Sequence, residues 1–148
     1  MTRDPDDLLL GVSVCIFRGA EVLMVKRGKA PGAGLWAPVG GGIEPGETAA
    51  AAAIRETLEE TGTTIRLVGV AGRRSFPRRD GAGRVDLTVF AALHLDGEPT
   101  PGDDAAEARF VAVGALPSLE LVPGVLPFVQ VARLLASGRT AGRSATHR

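Results

Sequence analysis

The sequence predicts an α/β domain in which a mixed β-sheet carries helices on its faces. Three observations carry that expectation. Two apolar, strand-like runs open the chain. One strong helix follows a Gly-rich loop. More strand-like runs then precede a terminal helix, so the order is not a regular β–α alternation. The 148 residues fit one domain, and 45% hydrophobic content suffices to bury a core.

Residues 1–7 are polar and read as a frayed end. Leu8 to Phe17 and Glu21 to Arg27 read as strands, with Arg18-Gly19-Ala20 as a hairpin turn. Gly28 to Gly46 is rich in Gly and Pro and reads as loop. Thr48 to Thr61 reads as helix, with Thr48 as N-cap, alanines from Ala49 to Ala53, and Gly62 as the stop. Ile65 to Ala71 and Val85 to Leu95 read as strands around a polar loop, Arg73 to Arg84. Ala108 to Val113 reads as a short strand. Val125 to Ala136 reads as an amphipathic helix, with Leu126, Val129 and Arg133 at helical spacing and Gly138 as terminator. The basic, small-residue tail 139–148 reads as disordered, leaving residues 8–138 as a single domain.

Composition excludes several classes of function. Lys+Arg and Asp+Glu both number 17, so the net charge is zero, which argues against a nucleic-acid binder. No apolar run is long enough for a membrane span, and no signal peptide opens the chain. Cys15 is the only cysteine, so no internal disulfide or Cys-based zinc site exists. With no Tyr and few aromatics, a base-stacking platform is not expected. The expectation is a cytoplasmic protein with no membrane or nucleic-acid partner. The apolar strands and terminal helix suit either the core or a homodimer interface.

Chemistry concentrates between Trp36 and Thr63. Glu56, Glu59 and Glu60 stand at i, i+3 and i+4, within an arc of roughly 100° on one helix face. Ile54 and Leu58 fall opposite and are expected to be buried. Like charges so spaced repel, and near a helix C-terminus the macrodipole disfavours them further. A bound hard cation such as Mg²⁺ or Mn²⁺ would offset both penalties; a solvated acidic face is the alternative. Gly40-Gly41-Gly42 precedes this helix. Its bare backbone could approach a ligand, or could simply turn the chain.

Read together, Gly41, Glu47, Arg55-Glu56, Glu59-Glu60 and Gly62, separated by five, seven, two and one residues, resemble the Nudix box. Thr57 and Thr63 stand where that family usually carries aliphatic residues, which implies altered packing. The resemblance covers most of the chain and implies an α/β/α sandwich around the mixed sheet. It implies divalent-metal-dependent hydrolysis of a nucleoside diphosphate linked to another moiety. It places Glu56, Glu59 and Glu60 as metal ligands, joined by a carbonyl of Gly40 or Gly41. Glu56 or Glu59 would orient or deprotonate the attacking water, and Glu47 would pair with Arg55 to hold the loop against the helix. Some members place a further carboxylate outside the box; Glu107 is the candidate here, with a surface acid as the alternative.

Substrate contacts are less constrained. Arg27 could meet a phosphate or be a solvated strand-end charge. Arg74 and Arg79, with Arg73 and Arg78, could clamp a phosphorylated ligand or be a solvated loop. Trp36 could stack on a base or ribose, with core packing ahead. The approach from Lys26 to Trp36 and the segment from Gly102 to Phe110 resemble ADP-ribose pyrophosphatase-like sequences. ADP-ribose or a related nucleotide sugar therefore leads, with MutT-type (d)NTP hydrolysis as runner-up and a non-catalytic nucleotide-sensing module as the rival of another class.

Overall fold

The structure is a computed structural model and describes residues 8–30, 32–78, 81 and 83–145, with side chains as far as residue 138. Strands β1 (Leu8–Arg18) and β2 (Glu21–Arg27) form the opening hairpin. Strands β3 (Trp36–Ala37) and β4 (Val39–Gly42) follow, then helix α1 (Ala49–Thr61), β5 (Thr64–Pro77), β6 (Arg84–Asp96) and β7 (Ala105–Ala112). A 3-10 helix (Val113–Ser118) leads to α2 (Val125–Ala145). The strands make one sheet in the order β3-β2-β1-β6-β5, with β4 also on β1 and β7 also on β2. The sheet is mixed, because β1 and β6 run parallel while the other pairs are antiparallel.

Alternation along the strands divides the interior in two. Val12, Val14 and Ile16 of β1 join Phe90 and Ala92 of β6 under α1. Cys15 and Phe17 join Val89 and Ala91 on the opposite face, under α2. Burial on both faces explains why the opening strand reads as a nearly continuous apolar run. Desolvation pushes the Cys15 thiol up to about 12.

Several sequence expectations change. The Gly-rich segment contains β3 and β4. Arg73 to Pro77 is not loop but the far end of edge strand β5, paired with Arg84 to Thr88 of β6. Helix α2 continues through Gly138 to Ala145, so residues 139–145 are helical rather than a disordered tail. One internal Gly costs only about 1 kcal/mol relative to Ala and does not force a stop. Its buried stripe is Val125, Val129, Ala132 and Ala136, whereas Arg133 faces out. The expectations for residues 1–7, 146–148 and Arg79 lie outside the described residues.

Helix α1 is capped as its sequence predicts. Thr48 Oγ1 accepts from Ala51 N at 3.0 Å, and Gly62 adopts φ 72° while its N–H reaches the Leu58 carbonyl. Its orientation differs from expectation. Ala52, Ala53, Thr57 and Thr61 are buried, whereas Ile54 and Leu58 are 46% and 53% exposed. The Thr57 hydroxyl donates to the Ala53 carbonyl at 2.7 Å, and Thr61 to that of Thr57 at 2.7 Å. Thr57 and Thr63, where aliphatic side chains were expected, are thus buried with satisfied hydroxyls, Thr63 through Thr61 Oγ1 at 2.8 Å.

Candidate active site

The site forms where β4 delivers the chain into α1. Glu44 and Glu47 close a tight turn before the helix: the Glu47 N–H donates to the Glu44 carbonyl and the Glu44 N–H to Glu47 Oε1, both at 3.0 Å. Arg55 joins turn, strand and helix. Its Nε donates to Glu47 Oε2 at 2.8 Å, and its Nη2 donates to Glu47 Oε1 and the Gly42 carbonyl, each at 2.9 Å. Its Nη1 donates to Glu59 Oε1 at 3.0 Å and lies 3.4 Å from Glu56 Oε2. The guanidinium beside Glu47 holds that carboxyl down at about 2, and the same pairing raises Arg55 above its ordinary value.

Glu56 lies on Gly41. A Cβ at Gly41 would occupy the space of the Glu56 carboxylate, so only glycine lets this side chain settle against β4. Burial raises the Glu56 carboxyl, with Arg55 opposing. Glu60 is half-buried. Burial first, and then the Glu56 charge, push it up to about 7, against the Gly40 backbone and Arg27.

Glu56, Glu59 and Glu60 line one cavity of about 750 Å³ with Gly40, Gly41, Arg27, Lys29, Asp103 and Asp104. The sequence reading missed the last two acids and Lys29. Lys29 Nζ sits 2.9 Å from Asp104 Oδ1. Gly28 N donates to the Asp104 carbonyl at 3.0 Å and Gly102 N to the Glu60 carbonyl at 2.8 Å, which ties this loop to β2 and α1. The adjacent acids of the Gly-Asp-Asp turn were the available signal. Among the described residues, no three Asp, Glu, His or Cys side chains are gathered into a ready-made cage. The donor set is nonetheless all hard oxygen, with bare glycine backbone beside it, and fits Mg²⁺ or Mn²⁺.

Three candidate residues lie away from this cavity. Glu107 does not line this cavity; the β2–β7 register sets it opposite Lys26, and the two pair at 3.6 Å. Trp36 is 6% exposed and packed in the α2-side core, with the Arg109 guanidinium 4.9 Å from its ring, so its rings are not open to a ligand. Arg27 borders the cavity. Arg74 does not. It lines a second, mostly apolar cleft of about 810 Å³ that shares Val25, Arg27, Gly40, Gly41 and Glu60 with the first.

A family model described as NUDIX domain matches residues 7–131. The chain is 38% identical to an ADP-ribose pyrophosphatase of Methanocaldococcus jannaschii over 110 residues, 74% of this chain and 65% of that one. It is 30% identical over 110 residues to an oxidized purine nucleoside triphosphate hydrolase of Mus musculus, 74% of this chain and 70% of that one. The chain thus spans about two thirds of these relatives' own lengths. The crystal structure of a MutT NUDIX hydrolase from Burkholderia pseudomallei superposes with TM-score 0.73 at 23% identity, over 84% of this chain and 98% of that one, a likeness of fold alone. Among the described residues, no helix is long and apolar enough to cross a membrane.

Proposed function

Since this chain belongs to the Nudix hydrolase family, we propose that it hydrolyses a nucleoside diphosphate linked to a second moiety, with the diphosphate in the acidic cavity and the nucleoside in the adjoining apolar cleft. One observation carries this reading: three box glutamates and bare glycine backbone line one cavity, and five of its lining residues also line an apolar cleft. Glu56, Glu59 and Glu60, with a carbonyl of Gly40 or Gly41, would hold Mg²⁺ or Mn²⁺. When bound, the cation supplies charge neutralisation at the diphosphate and a water of lowered pKa. Glu56 or Glu59 receives the proton of the water that attacks phosphorus. Arg55 fixes Glu59 and the turn while Glu47 fixes Arg55. Asp103 and Asp104, rather than Glu107, are the further carboxylates bordering the cavity.

ADP-ribose or a related nucleotide sugar leads as substrate, supported by the 38% identical relative. MutT-type nucleoside triphosphate hydrolysis is the second reading, supported by the relative that acts on oxidized purine nucleoside triphosphates. A non-catalytic sensing module is disfavoured because every box carboxylate is present. The test is a panel of ADP-ribose, NADH, dinucleoside polyphosphates, nucleotide sugars and normal or oxidised (d)NTPs, each with Mg²⁺ and Mn²⁺. Cation-dependent turnover that falls by at least 10²-fold in Glu60→Gln supports the assignment. Turnover within a few-fold of wild type in that variant removes it.

A further inference from the structure

Among the described residues, the apolar cleft holds one cationic side chain at the end remote from the acidic cavity, Arg74, and its position decides what it can touch. In the sheet register Gly42 pairs with Gly11, Gly11 with Leu87, and Leu87 with Arg74. This row crosses β4, β1, β6 and β5. Three strand spacings set the Arg74 backbone about 14 Å from the glycine segment on which Glu56 lies. A diphosphate held at the glutamates does not bridge that gap, whereas a nucleoside attached to it does. From that strand Arg74 would meet the base rather than the phosphates.

The surroundings fit that role. Phe76 lies two residues along the same strand face and also lines the cleft, as do Leu8 and Leu10, left 54% and 50% exposed. The Arg74 guanidinium stands between Phe76 and Phe128, 5.4 and 5.5 Å from their ring centres. It occupies the room left by Gly124, where a Cβ would come within 2.7 Å of Nη2, and it donates to the Pro123 carbonyl at 3.3 Å. The side chain is thus seated, with further N–H donors and no acceptor. Of the described carboxylates bordering the cleft, Glu44 and Glu47 both answer Arg55, and Glu60 belongs to the acidic cavity.

We propose that Arg74 selects the base of the substrate, favouring a 6-oxopurine over adenine. The O6 and N7 of a 6-oxopurine are adjacent acceptors that match two guanidinium donors, whereas adenine offers N7 beside an amino donor that would oppose them. This rests on the diphosphate lying in the acidic cavity, as proposed above. Within the two substrate readings it favours guanine-type nucleotides over ADP-ribose.

The experiment compares kcat/KM of the full chain for GTP against ATP, and for GDP-glucose against ADP-glucose, with Mg²⁺. ITP, which keeps O6 and N7, and 7-deaza-GTP, which lacks N7, complete the set. The expected guanine preference is about 5-fold to 150-fold, the discrimination of a bidentate Arg contact. ITP should follow GTP, 7-deaza-GTP should fall toward ATP, and Arg74→Met should bring the guanine-to-adenine ratio toward one. ATP matching or exceeding GTP in the wild type overturns the proposal. So does an equal fall for both bases in Arg74→Met, the mark of a phosphate clamp. If no nucleotide is hydrolysed, the functional reading fails, and calorimetry with GMP and AMP decides Arg74 alone: tighter GMP supports it and equal affinity overturns it.

Discussion

Arg55 grips Glu47 with two nitrogens, Nε on Oε2 at 2.8 Å and Nη2 on Oε1 at 2.9 Å, across the turn that carries the chain from sheet to helix. The same guanidinium reaches Glu59, so the turn and one of the box carboxylates share a single anchor. Planar, two-pronged donation of this kind has no lysine equivalent.

Glu47→Ala should leave a folded chain whose kcat falls on the order of 10²-fold, because loosening Arg55 misplaces Glu59. Circular dichroism and steady-state kinetics check the two halves. The pair also has an acid signature. The Glu47 carboxyl is held at about 2, below its ordinary 4.5, so its stabilising contribution is present above 4.5 and is lost as pH falls toward 2. Between those values the wild-type melting temperature should drop more steeply than that of Glu47→Ala.

Glu60 works in the opposite sense. Its carboxyl is raised from 4.5 to about 7, so in metal-free protein its contribution is complete below pH 4.5 and is lost as pH rises through 7. Melting temperature in chelator should decline across that interval, and Glu60→Gln should flatten the decline. An unchanged slope in that variant would show that Glu60 is not the group responsible.

Gly41→Ala puts a methyl where the Glu56 carboxylate lies. Glu56 must swing away, and kcat should fall on the order of 10²-fold with weaker Mn²⁺ binding by calorimetry. Gly42→Ala, whose methyl would meet only the Leu10 carbonyl at 4.0 Å, should lose much less of both.

The register of α1 is testable by stability. Ala53→Leu should cost about 1–3 kcal/mol by overpacking a filled interface. Ile54→Ala, at an exposed position, should stay within about 0.5 kcal/mol of wild type. Denaturant midpoints distinguish this orientation from one with Ile54 and Leu58 inside.

The spacing from Gly41 to Gly62 was legible because chemistry fixes it. The same residues cap the helix, hold Arg55 and leave room for Glu56. The buried side of α1 was not legible, since hydrophobic size points the wrong way there. Glu56 can rest on Gly41 only if α1 approaches β4 closely, and close approach leaves room for Ala52, Ala53 and hydrogen-bonded threonines but not for Ile or Leu. Arg73 to Pro77 hid for another reason. An edge strand exposes its flanks, so a polar, Arg-rich run ending in Pro resembles loop. Choosing between Glu107 and Asp104 required the β2–β7 register, which pairs Glu107 with Lys26 and sets Asp104 beside Lys29. Local sequence carries no information about that pairing.

Cys15, sealed on β1 opposite Ala91 of β6, keeps its proton at any physiological pH. Peroxides and electrophiles attack thiolate, so they pass this sulfur by while the fold stays closed. Its modification then times the opening of the sheet itself, a chemical clock for unfolding that the native surface does not confuse.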